Sequence, residues 1–230
     1  MLRPLAIFVI LYIVFTKFLK IGEQVPHFAV YLLLGIVLWN FFTDVTTSSV
    51  NIIVGKGDLM RKINFPKYVI VIASSIAALI NLLLNLIVVL FFMILSGVDF
   101  RVAGLYFPLL VIELFVFALA VAFFLSTAFV RFRDVGYIWE VVTQGAFYAT
   151  PILYPLSQIP AKYAKLIILN PIAQMIQDSR YVLISDKTQT ITDLYGNSAM
   201  RVVPLAVVCV TVVIAAVYFR KRSRFFAEEV

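Results

Sequence analysis

Six stretches of this chain run for about the thickness of a lipid bilayer with very little charge, and nothing else in the sequence restricts its fold so tightly. They are residues 2–19, marred only by Lys17 near the end, then 28–54, 68–95, 105–130, 135–153 and 202–219. A hydrocarbon core about 30 Å thick takes roughly 20 residues of α-helix. In lipid every backbone N–H and C=O needs an internal partner, so such runs form helices or closed barrels, and none of these alternates with the period of a barrel strand. The expected fold class is an all-α membrane protein, a single domain over residues 1–230 with six transmembrane helices. Charged residues make up only 13% of the chain, against about a quarter in globular domains. The first run is longer than a signal-peptide core and no small-x-small site follows it in "KFLKIGEQVPHF", so it reads as a retained span.

Positive charge sets the orientation. Of the 19 Lys and Arg residues, ten lie in the loop 55–67, in "RFRD" (131–134) and in the tail 220–230, which a six-span topology puts on one side. The opposite short connections carry three, Lys17, Lys20 and Arg101. The positive-inside rule then places both termini in the cytoplasm and makes residues 131–134 a tight inner hairpin. The net charge of +7 sits at span ends, where anionic lipid accounts for it, and no basic-aromatic interleaving points to nucleic acid. Between the fifth and sixth runs, residues 154–201 are broken by Pro155, Pro160 and Pro171, with Pro151 just before, yet "LIIL" and "YVLI" are too apolar for a free loop. Short re-entrant helices at the outer leaflet satisfy both facts.

Reactive residues are sparse. The single histidine, His27, reads as interfacial, and the single cysteine, Cys209, lies inside the sixth run. No zinc set or nucleophile-base pair has a recognisable spacing, and "GKGD" at 55–58 lacks the spacing and context of a phosphate loop. The chain is therefore not read as an enzyme, and any energy for work comes from a partner or an ion gradient. Of the acids inside runs, Glu140 reads as interfacial; Glu113 is either paired between helices or part of a transport path. Asn40, Thr43, Asp44, Thr47 and Asn51 share one helical face that is expected to look inward, and Ser74, Asn81 and Asn85 share another in the third run. These faces serve either as hydrogen-bonding glue between helices or as a hydrated conduit for a polar solute. Aromatic residues near run ends, Tyr148 and Tyr154 among them, fit interface belts or stacking on sugar rings.

The segments "LWNFF" (38–42), "GDLMRKINFPK" (57–67), "FRD" (132–134), "TPILY" (150–154) and "NPIAQMIQDSR" (170–180), in that order, resemble the permease subunits of ABC transporters of the polysaccharide-export type. That resemblance implies six helices with two re-entrant helices between the fifth and sixth. It implies a homodimer in the bacterial inner membrane exporting a lipid-linked glycan such as O-antigen, capsule or teichoic acid. Two partner ATPase subunits would bind the ATP and magnesium, and this chain itself no cofactor or metal. Gly57, Asp58, Leu59, Arg61, Lys62, Phe65 and Pro66 would form the coupling loop, with Arg133 and Asp134 in the inner hairpin. Asn40, Thr43, Asp44, Thr47, Asn81, Asn85, Tyr148 and Tyr154 would line the substrate path. Family members usually begin with a cytoplasmic amphipathic helix, whereas this chain opens at "MLRPLAIF". An exporter of drugs or lipids, and a gradient-driven carrier using Glu113 and Asp44, are the alternative readings.

Overall fold

The computed structural model describes residues 25–55, 66–223 and 226. The expected first span at 2–19 lies outside the described residues, as do Gly57, Asp58, Leu59, Arg61, Lys62 and Phe65 of the basic loop. Within the described residues all regular structure is helical: α1 Phe28–Val50, α2 Ile52–Gly55, α3 Tyr68–Leu95, α4 Phe107–Arg131 behind a 3₁₀ turn Val102–Tyr106, α5 Val135–Ala149, α6 Ala161–Ile167, α7 Pro171–Leu183, α8 Ile191–Tyr195 and α9 Val202–Arg222. Among the described residues, four helical stretches are long and apolar enough to cross a bilayer: Phe28–Val50, Tyr68–Leu95, Val102–Arg131 and Ser198–Arg222.

The fifth run behaves differently from expectation. Its helix has 15 residues, about 22 Å by the helical rise, and stops at Ala149 rather than reaching residue 153. Pro151 cannot donate to the ladder and biases Thr150 toward extended backbone, which it adopts at φ −88°, ψ 140°. The second run is likewise divided, because α1 ends at Val50 and Asn51 turns the chain into α2. The third run ends where its sequence punctuates it. Gly97, at φ +66°, lets its own N–H bond the Ile94 carbonyl and that of Val98 bond Met93, a Schellman closure with Val98 and Met93 both buried.

Helices α1 and α4 form the centre, with α3 packed on α1 and α9 on α4. The first half of α1 is apolar on every side, so Val30, Leu32 and Leu34 are wholly buried. By contrast α3 and α9 leave Ile80, Ile87, Val210 and Val213 exposed, a surface suited to lipid. Aromatic rings stitch the middle: Phe42 stacks on Phe117 at 5.8 Å and meets Trp139 of α5 at 6.2 Å. We call the end carrying Arg131, Arg133 and Arg220 the basic end, and the opposite end, with Asp99 and Asp186, the far end.

Candidate functional site

At the far end the short helix α7 is pushed into the bundle against α4, α1 and α9, and all ten residues from Pro171 to Arg180 are buried. Asn170 starts it by accepting the Ile172 N–H at 3.0 Å, and Pro171 at the first helical position needs no partner for a missing N–H. Four of those buried residues are strongly polar: Gln174, Gln177, Asp178 and Arg180.

Arg180 is fully buried. Its guanidinium donates from Nε to the Tyr31 carbonyl at 3.0 Å, from Nη1 to the Pro151 carbonyl at 2.6 Å and from Nη2 to the Ile152 carbonyl at 2.7 Å. It also lies over the Tyr31 ring, 3.6 Å from the centroid, a close cation–π contact. Residues 150–155 have left the helix, so their carbonyls lack ladder partners in a place poor in water. Arg180 answers two of them and fastens the break to α1. The fork geometry of arginine suits this task, because carbonyls from two separate segments are met by one rigid group. Gly35 makes room for it: a Cβ there would collide with Nη2. Tyr154 closes the same break from the other side by donating its hydroxyl to the Tyr148 carbonyl at 2.8 Å.

Next to this clamp runs a polar seam. Gln174 Nε2 donates to Asp178 Oδ2 at 2.7 Å, and Arg201, at the start of α9, approaches Asp178 Oδ1 at 3.8 Å. Glu113 of α4, half-buried, lies within electrostatic reach of Asp178. The Tyr31 hydroxyl makes a long 3.4 Å bond to Gln177 Oε1. Gln174 Oε1, Gln177 Nε2 and Asp178 Oδ1 have no hydrogen-bond partner among the described residues. A small cavity of about 90 Å³ opens beside Tyr31, Gln177, Ser157 and Thr188. None of Gln174, Gln177, Asp178 and Arg180 stood out as a site residue in the sequence. The signal was there in the i, i+3, i+4 spacing of Gln174, Gln177 and Asp178 directly behind an Asn-Pro helix start.

The other candidate residues fall into three groups. On α1 the polar face is not turned into this chain's own interior: Asp44, Thr47 and Asn51 are exposed, Asn40 and Thr43 half-buried. The expectation that this face looks inward is therefore corrected, for α1 spends its apolar sides on α3 and α4 and leaves the polar one at the surface of the chain. Ser48 and Ser74 meet at 3.1 Å between α1 and α3. Asn81 is exposed, and the half-buried Asn85 donates to the Asn81 carbonyl at 2.8 Å. At the basic end a three-residue turn, 132–134, joins α4 to α5. Arg133 there is exposed with its guanidinium 5.5 Å from the Phe129 ring, and Asp134 is exposed at the start of α5. Pro66 is exposed before α3. Of the two path tyrosines, Tyr148 is exposed and Tyr154 is half-buried, its hydroxyl engaged as described.

Long apolar helices exposed to lipid around a buried polar seam define a multi-pass helical membrane protein. The family model described as "ABC-2 type transporter" matches residues 1–184, and the chain belongs to that family. An O-antigen export system permease protein RfbA of Klebsiella pneumoniae is 26% identical over 231 residues, covering 98% of this chain and 84% of its own length. A second protein of that name from the same organism is 26% identical over 184 residues, 80% of this chain and 70% of its own. The RfbA permease of Myxococcus xanthus is 26% identical over 231 residues, covering all of this chain and 85% of its own length.

Proposed function

We propose that this chain is the transmembrane subunit of an ATP-driven exporter that moves a lipid-linked polysaccharide across the bacterial inner membrane. The observation that carries the reading is similarity to O-antigen export permeases over 98% and 100% of the chain in two relatives from distinct bacteria. In this reading two copies pair, two ATP-binding subunits supply hydrolysis with their own ATP and magnesium, and both termini lie in the cytoplasm. The bundle has six spans, with the first at 2–19, α5 completed by the break at 150–155, and α6 and α7 re-entrant at the outer side. The polar stripe of half-buried Asn40 and exposed Asp44 and Thr47 supports a hydrated passage at the surface of each bundle rather than within it. Residues 55–67 receive the push of the ATPase, and the inner hairpin with Arg133 and Asp134 fixes α4 and α5.

Reversing the charge of Arg61 and Lys62 together (Arg61→Glu with Lys62→Glu) is expected to cut export of surface polysaccharide at least about ten-fold, which is roughly 1.4 kcal/mol of lost coupling. Membrane insertion should be unchanged. Surface glycan at normal levels in that double variant would remove the coupling role. Normal surface glycan in cells lacking the chain altogether would remove the export reading itself.

A further inference from the structure

Between α4 and α9, reaching the first turn of α3, runs an open groove of about 310 Å³. Its floor is small, made of Ala120, Ala215 and Ala216. Its walls are Phe123 and Phe219, whose rings meet edge to face at 4.9 Å, and Tyr68 stands at the basic-end mouth. The lining is almost wholly apolar. Measured along α9 from Val212 to Phe219 the groove is about 10 Å long, roughly two thirds of the depth of one hydrocarbon leaflet.

The mouth carries charge of one sign. Arg222 lies one turn beyond Phe219 on the same face of α9, and Lys67 adjoins Tyr68 in the chain. Lys67 donates to the Ser223 carbonyl at 2.6 Å, which draws the start of α3 and its charge onto the end of α9. Among the described residues no carboxylate pairs with Arg220, Lys221 or Arg222. A narrow apolar slot with a cationic rim at one end complements a molecule that has a hydrocarbon tail and an anionic head. Basic pockets between membrane helices bind anionic lipid headgroups by this electrostatics. We propose that this groove holds one anionic phospholipid of the surrounding bilayer, its acyl chain over Ala120, Ala215 and Ala216 and its phosphate at Arg222 and the Tyr68 hydroxyl. A zwitterionic lipid fits the slot equally well and brings the same phosphate, but its headgroup cation is disfavoured beside the basic rim, so preference for net negative charge is the signature of the site. The proposal needs only a bundle that spans a bilayer and is independent of what the protein exports.

The test uses the full chain in phosphatidylcholine vesicles with a trace of phosphatidylglycerol carrying a photoreactive group on its acyl chain. Labelling should map to α4 and α9, saturate, and be competed by unlabelled phosphatidylglycerol but not by added phosphatidylcholine. Arg222→Gln should lower the apparent affinity about five-fold, the worth of one basic residue near a lipid surface. Ala216→Phe, at an exposed position that tolerates the added ring, should abolish groove labelling, while Val213→Phe elsewhere on α9 should leave it intact. Equal competition by phosphatidylcholine, or labelling that survives Ala216→Phe, would overturn the proposal. So would crosslinking from Ala216→Cys to residues 1–24 or to a second copy, since either would put protein where the lipid is assigned.

Discussion

A guanidinium inside a membrane protein is tolerable when its N–H groups are answered, and for Arg180 the answer comes from backbone. The clamp costs desolvation of a full charge and returns hydrogen bonds to carbonyls that the chain break has exposed. Removing it strands those acceptors, so Arg180→Leu is expected to destabilise the protein by about 3–5 kcal/mol. Arg180→Lys should cost about 2 kcal/mol, because one ammonium cannot reach Tyr31 and both break carbonyls with a rigid fork. Gly35→Ala should cost about 1–3 kcal/mol by overpacking against the same guanidinium, and much less in the Arg180→Lys background. Thermal unfolding of the four proteins in detergent gives the coupling directly; strictly additive losses would mean that the two residues do not share this contact.

At the scale of elements, α5 is the least embedded of the long helices, with Thr143 its only buried residue. Its side-chain hydrogen bond to α1 is that of Trp139 Nε1 to Thr46 Oγ1 at 3.1 Å, beside ring contacts of Trp139 with Phe42 and of Phe147 with Trp39. Thr46→Val should lower stability by about 1 kcal/mol and Thr46→Ser should restore it, read by chemical denaturation in micelles. Unchanged stability in Thr46→Val, with a loss confined to Thr46→Ser, would assign the effect to packing of the methyl group instead. The boundaries of these elements were legible in uneven measure. Helix α3 occupies the expected 68–95 because Pro66 and Ser96-Gly97 mark both its ends in the sequence. Helix α5 fell short of 153 because the apolar run was followed past Pro151, although that proline stops the helix at Ala149. The helix start of α7 and the shared face of Gln174, Gln177 and Asp178 were legible, but its inward burial was not: polar residues in a proline-rich stretch look solvent-facing until neighbouring helices supply their partners.

For the whole molecule, hydropathy fixed helical class and the main spans, since lipid leaves the backbone few options. The direction of the α1 polar face was beyond it. Helical periodicity reports that Asn40, Asp44 and Thr47 share a side, and only the packing of α3 and α4 decides which side remains. If that stripe borders water, cysteines placed at Asn40 and Thr47 in a Cys209→Ala background should react with a charged, water-soluble maleimide in intact membranes, and one at Val213 should react only after solubilisation. The opposite pattern would turn the stripe into a protein-protein or lipid contact and remove the wet passage. The connections of α5 carry a mechanical consequence. At its foot the three-residue turn has no slack, and at its head the chain is bolted through Arg180 to α1. A rod held at both ends can roll about its axis or bow, with Gly145 in its second half the weakest point, but it cannot slide; any gating stroke that travels through this strut must therefore arrive as torsion or bending.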